Sequence, residues 1–298
     1  MSAAENRSED IAHEIALVRE VAKLDDGDEV TFDDEGWDSR AYIVNRGEAV
    51  FKFPRTAAAQ AAYPGAIATL RLIGGGDGTV RVPAVRWIGS GYSYFGCVGV
   101  VGRQLGHVQA QLEESQLERI GTDLGAFLAW LHRLTLPDAR VVTVADEIAM
   151  FVRNYAAALP AIEQRFTVGE LAELERFMAD ELPETMRGLG SEPRLCHGDL
   201  GPYNLVLADD GHIGVIDFGD MGVFDQSKDF IGFEGATMLD AALAAYGDTP
   251  TLRAKVDIRA RALPILDLPF LISKGDERAV DACVDRLRGA LPTHDRRV

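Results

Sequence analysis

Five short runs rich in branched and aromatic residues predict strands in the first hundred positions: Val30 to Asp33, Ser39 to Asn45, Glu48 to Phe53, Val85 to Gly89 and Tyr94 to Val100. Arg46-Gly47 predicts a tight hairpin between the second and third. Ahead of them, Asp10 to Leu24 carries apolar residues at Ile11, Ile15, Leu17, Val18, Val21, Ala22 and Leu24 with charges between, a helical period whose apolar side should pack on the sheet. One further helix, Thr56 to Ile73, interrupts the strands, and Pro64-Gly65 should break it.

After Gly102 the pattern changes to long helices: Gln111 to Leu134, Ala145 to Ala158, Val168 to Leu182, Gly235 to Tyr246, Thr251 to Leu271 and Glu277 to Arg288. The reading is an α+β protein of two lobes, residues 1–101 with a five-stranded antiparallel sheet and residues 102–298 mostly helical. Within the helical part, Asn204 to Ile216 breaks the pattern with two short apolar strands around Asp210-Gly211, a predicted β-hairpin. Such a hairpin brings Asn204 and Asp217 side by side at its open end.

Composition narrows the classes. The 298 residues are 47% apolar, enough for a substantial core. No run of eighteen apolar residues offers a membrane span, and the first ten residues are polar and acidic, without the apolar stretch of a signal peptide. A cytoplasmic monomer is expected. Cys97, Cys196 and Cys283 are far apart and odd in number, which argues against a disulfide framework or a zinc site. Forty-seven acidic against thirty basic residues give a formal charge of −17, which disfavours nucleic acid and favours cationic ligands, or serves solubility alone.

The candidate chemistry lies in His197-Gly198-Asp199, Asn204 and Ile216-Asp217-Phe218-Gly219. Phosphoryl transfer asks for a carboxylate at the acceptor hydroxyl and oxygen ligands that hold Mg²⁺ against the phosphates. Asp199 can supply the first, and Asn204 with Asp217 the second. In the sheet, Lys52 stands in the apolar strand Val50-Phe51-Lys52-Phe53, either at an edge with its ammonium in solvent or aimed at an anion. Asp34-Glu35-Gly36-Trp37-Asp38-Ser39 joins the first two strands, as a plain hairpin loop or as a loop over phosphates, with Gly36 allowing close backbone approach and Ser39 able to donate.

His197-Gly198-Asp199, Asn204 and Ile216-Asp217-Phe218-Gly219 together resemble the aminoglycoside phosphotransferase family, antibiotic kinases distantly related to protein kinases. The resemblance implies a bilobal protein-kinase-like fold, ATP or GTP as donor, Mg²⁺ on Asn204 and Asp217, Asp199 as catalytic base and His197 as a holder of the loop. It implies that Lys52 contacts the nucleotide phosphates, that Gly36 and Ser39 belong to the nucleotide loop, and that backbone groups from Val98 to Val100 face the purine. Asp225 and Asp229 are then structural, while Asp220 and Glu234 are candidates to face a cationic acceptor. Leu124 to His132 resembles a family helix in which His132 packs.

The chain departs from the family at two places. The helix after Lys52 has no acidic residue, and Ala66 stands where a glutamate usually holds that cation; Gln226 replaces a proline between Asp225 and Asp229. The resemblance implies an antibiotic kinase acting on a hydroxyl of an aminoglycoside, macrolide or cyclic peptide. A metabolic kinase of a sugar, amino alcohol or homoserine, and a nucleotide-binding pseudokinase lacking turnover, are the alternatives.

Overall fold

The structure is a computed structural model that describes residues 3–34, 36, 38–74, 76, 78–233 and 235–291. Contacts divide the chain into two compact units. The first holds Met1–Phe127, Pro202–Gly219 and Asp240–Ala242, and the second Leu128–Gly201, Asp220–Leu239 and Leu243–Val298. The first unit thus extends past Gly102 and takes in the predicted hairpin.

The first unit opens with α1 (Ala3–Ala22), β1 (Val30–Asp33), β2 (Ser39–Val44), β3 (Ala49–Pro54), α2 (Ala57–Ile73), β4 (Ala84–Ile88) and β5 (Phe95–Val98). All five strands pair antiparallel in the order β1-β2-β3-β5-β4. Val18 of α1 is wholly buried against a core that includes Tyr42, Phe51 and Phe53, as the helical period predicts. Glu14 adds a polar tie, accepting from the Tyr42 hydroxyl at 2.5 Å and from the Arg40 guanidinium. A turn at Asn45–Gly47 joins β2 to β3, and Asn45, Arg46 and Gly47 all have positive φ.

Pro64-Gly65 does not break α2, contrary to expectation. The helix runs unbroken from Ala57 to Ile73, with the Thr56 hydroxyl capping its start by accepting from Ala59 N–H. Both residues are exposed, so the Gln60 carbonyl that proline leaves without its helical donor can bond water, while Tyr63, Ile67 and Leu70 hold the opposite face in the core. A Cβ at Gly65 would meet nothing within 4 Å. Gly65→Ala should therefore raise stability by about 0.5–1 kcal/mol through backbone entropy alone. A thermal melt in which the variant unfolds below the parent would refute this.

β6 (Arg103–Gln104) and α3 (Leu105–Val108) follow, and α4 (Glu114–Leu131) carries the chain onward. The second unit is built on α5 (Val144–Glu163), α6 (Val168–Arg176), α7 (Leu182–Gly188) and β7 (Pro193–Cys196). Capping boxes, Thr143 with Asp146 and Thr167 with Glu170, set the starts of α5 and α6. The stretch predicted as one helix from Val168 to Leu182 widens into a π turn over Phe177–Glu181 before α7 begins.

The chain then returns to the first unit for β8 (Leu205–Leu207) and β9 (Ile213–Val215), the predicted hairpin, which pairs with β6 in the order β6-β8-β9. In the second unit β10 (Gly222–Asp225) pairs antiparallel with β7, and α8 (Ala236–Tyr246), α9 (Pro250–Lys274) and α10 (Glu277–Ala290) follow. Phe151, Ile162, Phe177, Leu182, Ile265 and Leu287 belong to its apolar core. All three cysteines are free and buried. No helix among the described residues is long and apolar enough to cross a membrane.

Candidate active site

A cavity of about 600 Å³ lies in the first unit. Its walls follow from strand alternation: Ala41 and Ile43 project from β2, Val50 and Lys52 from β3, and Phe95 and Cys97 from β5. Val100, Val206 and Ile216 add apolar surface, and Asn204 and Asp217 bring the oxygen donors. Burial pushes the Cys97 thiol up to about 11, so it stays protonated at neutral pH and serves as wall.

Asn204 and Asp217 meet because the hairpin extends one pair beyond its strands. Leu205 pairs with Val215, and Ile216 N–H donates to the Asn204 carbonyl at 2.9 Å. The chain then turns sharply at Asp217, whose φ of 61° is a left-handed conformation unusual for a residue with a side chain. A second brace grips the hairpin from outside its own strands: Arg81 N–H donates to the Ile213 carbonyl at 3.0 Å, and the Arg81 carbonyl accepts from Val215 N–H at 2.8 Å. Arg81 is a positioning contact that no local pattern announced.

Lys52 Nζ donates to Asp217 Oδ1 at 2.9 Å. Ala66 of α2 lines the same cavity and offers no charge. The cation that a helix carboxylate would otherwise orient is thus held by the carboxylate at the end of β9. Asn204 and Asp217 are hard oxygen donors of the kind Mg²⁺ takes, in a cavity that also carries a cation, so the donor set fits a metal–nucleotide complex.

The other nucleotide-side residues are distributed less simply. Val100 is buried in the cavity wall, and a Cβ at Gly214 would fall 2.5 Å from its side chain. Val98 pairs with Ala49 and Ala84 on its two sides, and its side chain lines a different cleft with Val21, Leu24 and Trp87. Gly99 N–H is taken by the Glu48 carbonyl at 3.1 Å. The Ser39 hydroxyl is bonded to the Tyr63 hydroxyl at 2.9 Å, so neither it nor Gly36 lines the cavity. Gly36 has its own reason: a Cβ there would lie 2.7 Å from the Ser39 carbonyl. Sequence reasoning missed Arg55, which donates to the Gly36 carbonyl at 2.9 Å and to the Asp34 carbonyl at 2.7 Å and so staples that loop. Its only signal was an arginine directly after a strand-ending proline.

Asp199 belongs to the second unit, on the loop that follows β7. Its own N–H donates to His197 Nδ1 at 3.3 Å, and His197 is fully buried. Asp229, also fully buried, accepts from His197 N–H at 2.8 Å and Gly198 N–H at 2.9 Å. Burial alone would push the Asp229 carboxyl up, but the bond from His132, the charges of both histidines and the Gly198 N–H together hold it below the usual carboxylate range. Gly198 must be glycine: its φ is +89°, and a Cβ would sit 2.4 Å from the Asp220 carbonyl oxygen. The Asp220 residue is exposed. Glu234 lies outside the described residues.

The sheet order, the cation on its third strand and the hairpin with its paired amide and carboxylate define a protein-kinase-like α+β fold. Residues 29–257 match the model of the family described as APH, phosphotransferase enzyme family, and the chain belongs to that family. Solved structures are similar along nearly the whole chain. The GDP complex of wild-type aminoglycoside 2'-phosphotransferase-IIIa is 20% identical at a TM-score of 0.67, over 94% of this chain and 97% of that one. The streptomycin–ATP–APH(2")-IIa ternary complex is 18% identical at a TM-score of 0.64, over 93% and 98%. The apoenzyme of macrolide 2'-phosphotransferase MphH from Brachybacterium faecium is 20% identical at a TM-score of 0.61, over 94% and 99%.

Proposed function

We propose that this protein transfers the γ-phosphoryl group of ATP or GTP to a hydroxyl of a cationic small-molecule antibiotic, acting as a monomer in the cytoplasm. The observation that carries this reading is the cavity in which Lys52, Asn204 and Asp217 converge. Asn204 and Asp217 would hold Mg²⁺, which neutralises phosphate charge when bound. Lys52 binds the phosphates, and its bond to Asp217 keeps its ammonium aimed into the cavity before the nucleotide arrives. Val50, Val206 and Ile216 exclude water from the purine. Asp199 accepts the hydroxyl proton of the acceptor while the buried His197–Asp229 contacts keep its loop from moving.

A cationic acceptor is favoured by the excess of acidic residues, net −17, and by the aminoglycoside and macrolide phosphotransferases that the fold resembles. The pseudokinase reading loses its motive, because Lys52 has a carboxylate partner despite Ala66. The test is to incubate the protein with Mg²⁺, ATP or GTP and a panel of aminoglycosides, macrolides and cyclic peptides, reading diphosphate release and product mass. A drug product heavier by about 80 Da, one phosphoryl group, is expected. Turnover only with a sugar, amino alcohol or homoserine would move the acceptor class, and nucleotide binding with no turnover on any alcohol would sink the proposal.

A further inference from the structure

His132, directly after α4, is buried, and both of its ring nitrogens are engaged. Nε2 lies 3.0 Å from Asp229 Oδ2, and Nδ1 lies 2.8 Å from the Tyr246 hydroxyl. That hydroxyl donates its single proton to Gln226 Oε1 at 2.8 Å. The same Asp229 receives the N–H groups of His197 and Gly198, the two residues before Asp199.

The protons can be counted. A phenol that gives its hydrogen to Gln226 has only a lone pair left for His132, so Nδ1 must carry a hydrogen. Asp229 accepts every bond described for it, so Nε2 must carry one too. We propose that His132 is a buried imidazolium, a positioning residue that offsets the buried Asp229 charge and thereby holds the catalytic loop, with Gln226 setting the proton count. The loop's importance rests on the reading of Asp199 as base; the charge on His132 does not.

The surroundings support a charged ring. Asp229 faces it from the turn Gln226–Phe230. Tyr246 faces it from α8, its hydroxyl pushed up by burial and so protonated. Cys196 faces it from β7, its thiol raised well above its ordinary value by burial and directed at the Arg194 carbonyl at 3.5 Å. His132, Cys196 and Asp229 have ligand atoms within 4.8 Å of one another, but a ring with two donor nitrogens has no lone pair for a metal ion. Buried Asp225 is matched by Lys255 and Arg259, and the ring bonded to the Asp229 carboxylate is that of His132. His197, also beside Asp229, uses its ring Nδ1 to accept the Asp199 N–H. Gln226 is decisive because a proline there, as the family usually has, could not accept from Tyr246; the phenol would then donate to Nδ1 and the ring would be neutral.

The experiment is nitrogen NMR of histidine-labelled protein at about pH 8, where an ordinary histidine is neutral, with His132→Gln used to assign the signals. Two ring hydrogens on His132 are expected in the parent, and one in Gln226→Leu. One hydrogen in the parent overturns the proposal whatever the variants do, and two hydrogens that persist in Gln226→Leu overturn the role of Gln226. In kinetics, Tyr246→Phe should lower kcat roughly tenfold with the nucleotide KM within twofold, as loss of one bond to a charged group requires. His132→Gln, which retains an N–H for Asp229, should recover much of the activity that His132→Ala loses. An equal loss in both variants would overturn the positioning role.

Discussion

Replacing Asp199 with alanine is expected to lower kcat by about a thousandfold and to leave nucleotide affinity within a few-fold. A positioned general base contributes typically 10²–10⁴ in rate, and the loop that carries Asp199 is held by three backbone N–H bonds. The loop itself should survive the change, because the bonds donated by the backbone N–H groups of His197, Gly198 and Asp199 are all retained in the variant. With the cavity read as the nucleotide site, nucleotide binding should be spared, because the residues that line the cavity all belong to the first unit, whereas Asp199 belongs to the second. Steady-state kinetics with calorimetric titration of nucleotide checks both halves. Turnover at the parental rate would remove Asp199 from the mechanism, and loss of nucleotide binding would show that the loop had collapsed.

The largest effect on stability is expected at Asp225. Its carboxylate is 1% exposed and accepts from Ser227 N–H and Oγ at 3.1 and 2.7 Å, from Glu192 N–H at 2.9 Å and from Lys255 Nζ at 3.1 Å. Arg259 Nη1 lies 3.9 Å away and spends its other nitrogen on Glu147 at 2.7 Å. Asp225→Ala leaves two cations, each 1% exposed, short of one negative charge, and removing one partner from a buried pair costs about 3–5 kcal/mol. For a chain of this size that lowers Tm by roughly 10 °C. Burial alone would push the Asp225 carboxyl up, but the Ser227 hydroxyl, Arg259 and the Glu192 and Ser227 N–H groups hold it below the usual range. A depressed carboxyl stabilises the fold above its unfolded value near about 3.9 and loses that contribution as pH falls through the folded value. The gap between parent and variant should therefore be full at neutral pH and close only in acid. Melts across that range test it, and a variant that unfolds within about 2 °C of the parent at neutral pH would contradict the argument.

Much of the fold was legible locally. The edges of the five sheet strands fell within a residue or two of the predicted ones, because branched and aromatic runs bounded by glycine and proline carry their own stop signals. Pro64-Gly65 misled for a physical reason: a proline on a solvent-facing turn of a helix anchored by Tyr63, Ile67 and Leu70 loses one bond that water can replace. Val98 illustrates a different limit. Period-two alternation says that Val98 and Val100 share a side only while the strand continues, and β5 ends at Val98, so the two side chains go to different clefts.

What the sequence by itself determined was the set of groups: the Asp199 loop, the hairpin that sets Asn204 beside Asp217, and a lysine in the third strand. Each depends on spacings of a few residues, which local backbone geometry translates directly into position. Only the tertiary structure decided who holds them. Lys52 is paired with Asp217, 165 residues away, and not with α2; the loop of Asp199 hangs from Asp229, and Asp229 from His132, 97 residues before it. Those partners are chosen by which charges the folded topology brings within hydrogen-bond reach, and a fully buried one such as Asp229 must find its donors wherever the chain has put them.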